Sequence, residues 1–354
     1  MAADPRITTL VQWASSHGAV LNNHLEVHDD PVTGFSFRVK DGHVLPAWET
    51  VVSLPTPLSL SYLNAVSQGC FHPELVSRTP PHVVGRLFLV KEYLRGRDSF
   101  WWPASWALAP FWPEDEAELL EGTNVEVGLE KIRRDVKREY EDVTALLKLH
   151  HAEKEGAFVR AVTVQLYQWA YCIFSSRSFR PSLVLSPAMK TNAELLLGYG
   201  FMVPATEGLH NDYTHALVVE LPAERPMLGA FRHVQPDMVW DIFCTLAESQ
   251  GTSAAELIST GVEGEGEEQQ QRERQRKLFS GAVDGHCEPF LEQTVAIIQH
   301  KMLQELERLE ETEVEIVGGD EDELSGNQKL ALEYRRRCRA VLENALEAME
   351  TDIE

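Results

Sequence analysis

The stretch "FSSRSFRPSLVLSPAMKTNAELLLGYGF", residues 174–201, sets two distinctive segments side by side. The first closes an apolar run on Ser176, Arg177, Ser178 and Phe179; the second is KTNAELLL, from Lys190, leading to Tyr199, Gly200 and Phe201. Ten residues, Arg180 to Met189, separate Phe179 from Lys190. Upstream, "AFVRAVTVQLYQWAYCIFS" (157–175) is apolar nearly all round, the pattern of a helix inside a core. Downstream, "HALVVELP" reads as a strand that stops at Pro222.

Working outward, the N-terminal piece Thr8 to Ser16 predicts a helix stopped by Gly18, followed by strand-like "SFRVK" and "ETVVSLP". From about 61 to 155 the signals are helical. "VVGRLFLVKEYLRG" places Val84, Leu87, Leu89, Val90, Tyr93 and Leu94 at helical spacing and closes on Gly96. A long charged helix follows, with Leu129, Ile132, Val136, Tyr140, Val143 and Leu146 as its apolar stripe. Between these two lies "DSFWWPASWALAPFWPEDEAELL", with four Trp and three Pro, which implies aromatic packing in a turn-rich segment.

Beyond Pro222 the chain reads as helical. "PDMVWDIFCTLAE" is one amphipathic helix; Leu291, Val295, Ile298, Met302, Leu306 and Leu309 stripe a second; Tyr334, Cys338, Val341, Leu342 and Leu346 stripe a third. The charged, low-complexity "GVEGEGEEQQQRERQRK" (261–277) reads as a solvated insertion, and "VGGDEDELSGN" as an acidic linker.

The 354 residues allow two or three domains, and 44% apolar content is that of a globular protein. A net charge of −23 argues against nucleic acid, whose phosphates call for clustered Lys and Arg, and favours a basic protein as substrate or partner. There is no secretory signal and no apolar run long enough to span a membrane, so no membrane partner is expected. Five scattered cysteines without CxxC spacing indicate neither a zinc site nor a disulfide framework. The chain is therefore expected in a reducing compartment, cytoplasmic and/or nuclear. The signatures G-x-S-x-G, G-x-x-x-x-G-K-[ST], G-x-G-x-x-G and H-E-x-x-H are absent. The histidines mostly stand alone; His24 and His28, four apart but without a helical pattern, read as surface residues, and no metal is expected. Cys172 reads as a buried small hydrophobe. Bottom-up chemistry names no reaction.

Several segments in order resemble one family, the SET-domain protein-lysine methyltransferases of the Rubisco large-subunit methyltransferase type. "LVQWASSHGAVLNNHLEV" resembles the family's opening, "LPAWETVVSLPTPLSLS" its strand and turn, and "LFLVKEYLRGRDSFWWPASWALAP" a segment of its helical insertion. "AFVRAVTVQLYQWAYCIFSSRSF" is similar to its core helix ending in SR-F, "KTNAELLLGYGF" to its KSNAELLL-YGF, and "NQKLALEYRRRCRAVLENAL" to its last helix. The resemblance implies an α+β fold: a β-rich SET core (1–60 and 156–222) split by a helical insertion (61–155), then an all-helical substrate-binding-like domain (223–354). It implies S-adenosylmethionine as cofactor and methyl transfer to a lysine ε-amine of a protein. That amine must be made neutral, although a free lysine has a pKa of about 10.4, and the sulfonium methyl must meet it in line.

Carried over residue by residue, the resemblance assigns Gly34, Phe35 and Phe37 to the cofactor loop. It places Ser176 and Arg177 at the cofactor, and Tyr199 in the pocket shared by cofactor and target lysine. Local structure offers other roles: Arg177 pairs with helix C-terminal carbonyls, and Tyr199 packs in a core. The departures are equally specific. The family's Asn-His and catalytic Tyr would fall within "RPSLVLSPAM", which contains none of them, and the catalytic position falls on Ser186. Ser36 replaces the second Gly of the cofactor loop, and Trp48-Glu49 replaces a Gly-Glu pair. Three readings stay open: an active enzyme, a catalytically inactive protein-binding SET module, and a sequence from which a coding segment was left out.

Overall fold

The computed structural model describes residues 4–30, 34–95, 108–177, 191–203, 231, 234–260, 266–313 and 324–350. In chain order the elements are α1 (Pro5–Ser16), β1 (Val20–Leu21), β2 (Leu25–Asp30), β3 (Gly34–Val39), β4 (Val52–Ser53), α2 (Tyr62–Ser67), α3 (Pro73–Arg78), α4 (Pro81–Leu94) and α5 (Glu114–Ala117). They continue with α6 (Glu126–Ala161), α7 (Val164–Arg177), α8 (Asn192–Tyr199), α9 (Pro236–Ser249), α10 (Ala254–Leu257), α11 (Glu267–Phe279), α12 (Glu288–Glu311) and α13 (Gly326–Glu350). They fall into two units, Met1–Ala107 with Ile132–Phe179 and Leu108–Lys131 with Arg180–Glu354.

In the first unit the core is built on α4. Its Val83, Val84, Leu87, Phe88, Leu89 and Val90 are all buried, and α2 and α7 pack against it. Full burial of such side chains contributes about 1.5–3 kcal/mol each. The closeness of α4 to α7 depends on Gly85, where a Cβ would stand 2.9 Å from the Phe174 ring. Among the described residues the strands are few and short: β1 pairs antiparallel with β4, and β2 with β3. "ETVVSLP" thus contributes only Val52–Ser53 as strand, and among the described residues the expected β-rich core is two small two-stranded sheets. "HALVVELP" lies outside the described residues, as do Trp101, Trp102 and Trp106 of the aromatic segment; Trp112 is buried as expected.

The single helix expected over 157–175 is two. The long helix α6 bends at Glu155, whose φ of −130° and ψ of 36° are not helical, and ends at Ala161. Thr163 then starts α7, its Oγ1 accepting the Leu166 amide at 3.2 Å. The carbonyl of Val162, freed by the break, accepts the Tyr140 hydroxyl at 3.0 Å. No Gly or Pro marks this junction; a Thr cap and a distant tyrosine make it.

In the second unit, α12 packs against α9 and α13. Trp240, Phe243, Ile258, Leu278 and Phe290 form one apolar cluster. Leu278 brings the end of α11 into that cluster, so the charged stretch read as a solvated insertion folds over 267–279 as a helix with an exposed outer face. The α13 stripe is buried at Ala331, Tyr334, Cys338, Val341, Leu342 and Ala345. Tyr334 donates its hydroxyl to Asn124 Oδ1 at 2.6 Å, which pins the helix to the segment before α6. Gly122 is required there: its φ is +73°, and a Cβ would lie 2.0 Å from Thr312 Oγ1. Among the described residues, no helix is long and apolar enough to cross a membrane.

Candidate functional site

The sequence-derived site residues sit on three elements. Gly34, Phe35 and Phe37 lie on β3, Ser176 and Arg177 on the last turn of α7, and Tyr199 at the end of α8. β3 and α7 belong to the first unit and α8 to the second. Ser186 lies outside the described residues, with Ser178 and Phe179.

The α8 segment shows why the KTNAELLLGYGF pattern takes the form it does. Thr191 precedes the helix and accepts the Glu194 amide at 3.1 Å, while the Glu194 carboxylate accepts the Thr191 amide at 2.9 Å. This reciprocal capping satisfies two N–H groups that a helix start leaves without partners. Leu195 and Leu196 are buried. Gly200 ends the helix in the left-handed region, φ 76°, where its amide returns to the carbonyls of Leu195 and Leu196 at 3.0 and 3.2 Å. Only a glycine reaches that conformation at little cost. The segment leaving the helix is fixed as well: Asn192, fully buried, accepts the Val203 amide at 3.1 Å, and Arg337 donates to the Val203 carbonyl at 2.8 Å. Thr191, Asn192, Glu194, both leucines and Gly200 therefore have structural tasks. Tyr199 sits beside Phe201, ring centroids 6.2 Å apart and edge-on.

The first half of α7 is held by a polar cluster that sequence reasoning missed. The Arg86 guanidinium and the Tyr167 hydroxyl both donate to Glu139 Oε1. Arg86 also lies over the Tyr171 ring, 4.6 Å from its centroid. Burial, then the neighbouring Glu139 carboxylate, pushes the Tyr167 phenol well above its ordinary pKa, so it stays a hydrogen-bond donor. Removing one member of such a buried pair leaves an uncompensated charge, at a cost of about 3–5 kcal/mol. On the last turn of the helix, Ser176 donates to the Cys172 carbonyl at 2.7 Å. The signal available in the sequence was a charge, Arg86, inside the apolar run 83–90 of α4.

In the β2–β3 hairpin, the expected cofactor-loop residues form a regular strand. Phe35 faces Asp29, Phe37 faces Val27 and Val39 faces Leu25; on the other side Ser36 faces His28, and Arg38 donates to Glu26 at 2.6 Å. His28 is thus a strand residue and His24 precedes the strand, its ring 5.0 Å from that of His43. Phe35 and Phe37 remain 44% and 45% exposed. Close by in sequence, Trp48 is 99% exposed and is the one non-glycine among the described residues with a positive φ, 69°. The resemblance puts a glycine at this position, and the backbone there has kept a glycine's conformation under a tryptophan side chain.

No protein-family model and no curated protein sequence matches the chain. Solved structures do. The structure of Rubisco LSMT bound to AdoMet is similar over 99% of this chain and 92% of its own, at TM-score 0.57 and 17% identity. The chain has the SET methyltransferase fold of Rubisco LSMT. The crystal structure of the SET domain of LSMT bound to lysine and AdoHcy gives a TM-score of 0.58 at 17% identity, with the same coverage. Rubisco LSMT bound to sinefungin and monomethyllysine gives 0.56 at 18% identity. The likeness is one of fold, carried across both units by a chain that shares fewer than one residue in five.

Proposed function

We propose that this protein is, by lineage and architecture, an S-adenosylmethionine-dependent protein-lysine N-methyltransferase whose methyl transfer is impaired at residues 180–189. The observation that supports the lineage is a SET fold similar over 99% of the chain to structures solved with AdoMet or AdoHcy. Impairment follows from the side chains available. The bridge "RPSLVLSPAM" offers no Asn or His to hold the cofactor and no phenol where Ser186 stands. In this reading Gly34, Phe35, Phe37, Ser176, Arg177 and Tyr199 are the positions that the resemblance assigns to the cofactor. Loss of the groups that orient methyl and amine removes the positioning on which the reaction rests.

A second reading, a protein-binding module, draws support from the charge. At −23 the chain attracts a basic partner whether or not it methylates one. Two experiments test the proposal. Incubation with tritium-labelled S-adenosylmethionine and a cell extract is expected to label no protein above a blank lacking the chain; a labelled lysine would overturn the impairment. Genomic sequence between the codons for Phe179 and Lys190 is expected to contain no coding segment beyond the one for residues 180–189; a further one encoding Asn-His and Tyr-Gly would return the protein to the active class.

A further inference from the structure

Away from the hairpin and α7, the first unit gathers histidines that sequence spacing keeps apart. His72 and His150 stack with ring centroids 4.6 Å apart and planes 6° from parallel. Glu74 joins them: a ring nitrogen of each histidine and a carboxylate oxygen of Glu74 lie within 4.8 Å of one another. We propose that His72, Glu74 and His150 form a binding site for one zinc ion, a role independent of the proposed methyltransferase lineage.

The observation that separates this cluster from a chance surface group is His150. Its side chain is 10% exposed, yet its buried Nε2 has no hydrogen-bond partner, the nearest Glu74 oxygen standing 3.9 Å away. A buried nitrogen without a partner costs about 1–3 kcal/mol, and coordination of a cation would supply the missing partner. The surroundings fix the backbone at the neighbouring ligand. The His72 amide donates to His151 Nε2 at 3.1 Å, which puts the His151 proton on Nδ1, facing Glu155 Oε2 at 3.2 Å. Lys91 grips both Glu155 oxygens at 2.9 Å and the Cys70 carbonyl at 2.8 Å. The chain just before and at His72 is therefore pinned from α4 and α6. Nδ1 of His72 accepts the Glu74 amide at 3.2 Å, leaving its Nε2 for a ligand.

Two imidazoles and a carboxylate are a donor set that suits zinc, with the fourth position open to solvent. Ligand atoms about 2.0–2.1 Å from a tetrahedral ion stand roughly 3.3 Å apart. Binding thus requires the exposed His72 and Glu74 side chains to rotate inward and break the ring stack, while His150 stays in place.

The test is a zinc titration of the full chain, stripped with a chelator, in competition with a chromophoric chelator. Wild type is expected to take up one equivalent that His72→Ala loses, with affinity at least about 100-fold weaker, and that Glu74→Gln also weakens. His72 is exposed, so this variant leaves the core intact; His150→Ala is read only if its thermal melt matches wild type, and the same loss is expected. Cobalt substituted for zinc is expected to give a visible d–d band of a four-coordinate N/O site, absent from His72→Ala. Absence of a tight equivalent in wild type, or an equal one in His72→Ala, would overturn the site.

Discussion

In α8 and its flanks, the side chains that make the sequence distinctive are built into the fold: Thr191 and Glu194 cap the helix, Asn192 and Arg337 anchor its exit, and Gly200 turns it. In the hairpin of β2 and β3 and the loop beyond it, the corresponding residues do little for the fold. Phe35 and Phe37 are almost half exposed, and Trp48 is extended into solvent on a backbone suited to glycine. Both regions carry segments that resemble the SET methyltransferases. The one that matches the resemblance closely does so because helix termini and buried amides impose those residues on any chain that folds this way. The one that departs from it lies where the resemblance places cofactor contacts.

This contrast can be broken by substitution. Leu196→Ala, in the buried face of α8, is expected to cost about 2–5 kcal/mol of stability, read from the urea midpoint of circular dichroism. Asn192→Ala strands the Val203 amide and is expected to cost about 1–3 kcal/mol in the same assay. Thr191→Ala removes the cap for about 1 kcal/mol. In the other region the sign reverses: Trp48→Gly relieves a left-handed backbone and is expected to stabilise by up to ~1 kcal/mol, as a raised melting temperature. The smallest effect is expected for Glu26→Gln, which breaks an ion pair whose partners are 38% and 53% exposed, at less than about 0.5 kcal/mol. A hairpin change costing as much as Leu196→Ala would erase the distinction.

How much of this was legible in the sequence depended on whether the cause was local. The stripes of α4, α12 and α13 were readable because period and burial coincide, as at Ile298, Met302, Tyr334 and Cys338. The overall SET fold was readable from ordered segments. The junction at Val162 was not, because the group that satisfies its carbonyl, Tyr140, is remote in the chain. Arg86, Glu139 and Tyr167 were hidden for the same reason, as were His72 and His150. Among the described residues the sheet is smaller than expected, since "ETVVSLP" has strand composition but only Val52–Ser53 finds a partner strand. The positions that the resemblance assigns to a cofactor site fall on β3, α7 and α8, and the residues between Phe179 and Lys190 include no Asn, His or Tyr.

Isothermal titration of the full chain with S-adenosylmethionine tests the central claim most directly. On the proposed reading the chain is expected to show no saturable binding up to millimolar ligand. A dissociation constant in the micromolar range would contradict it.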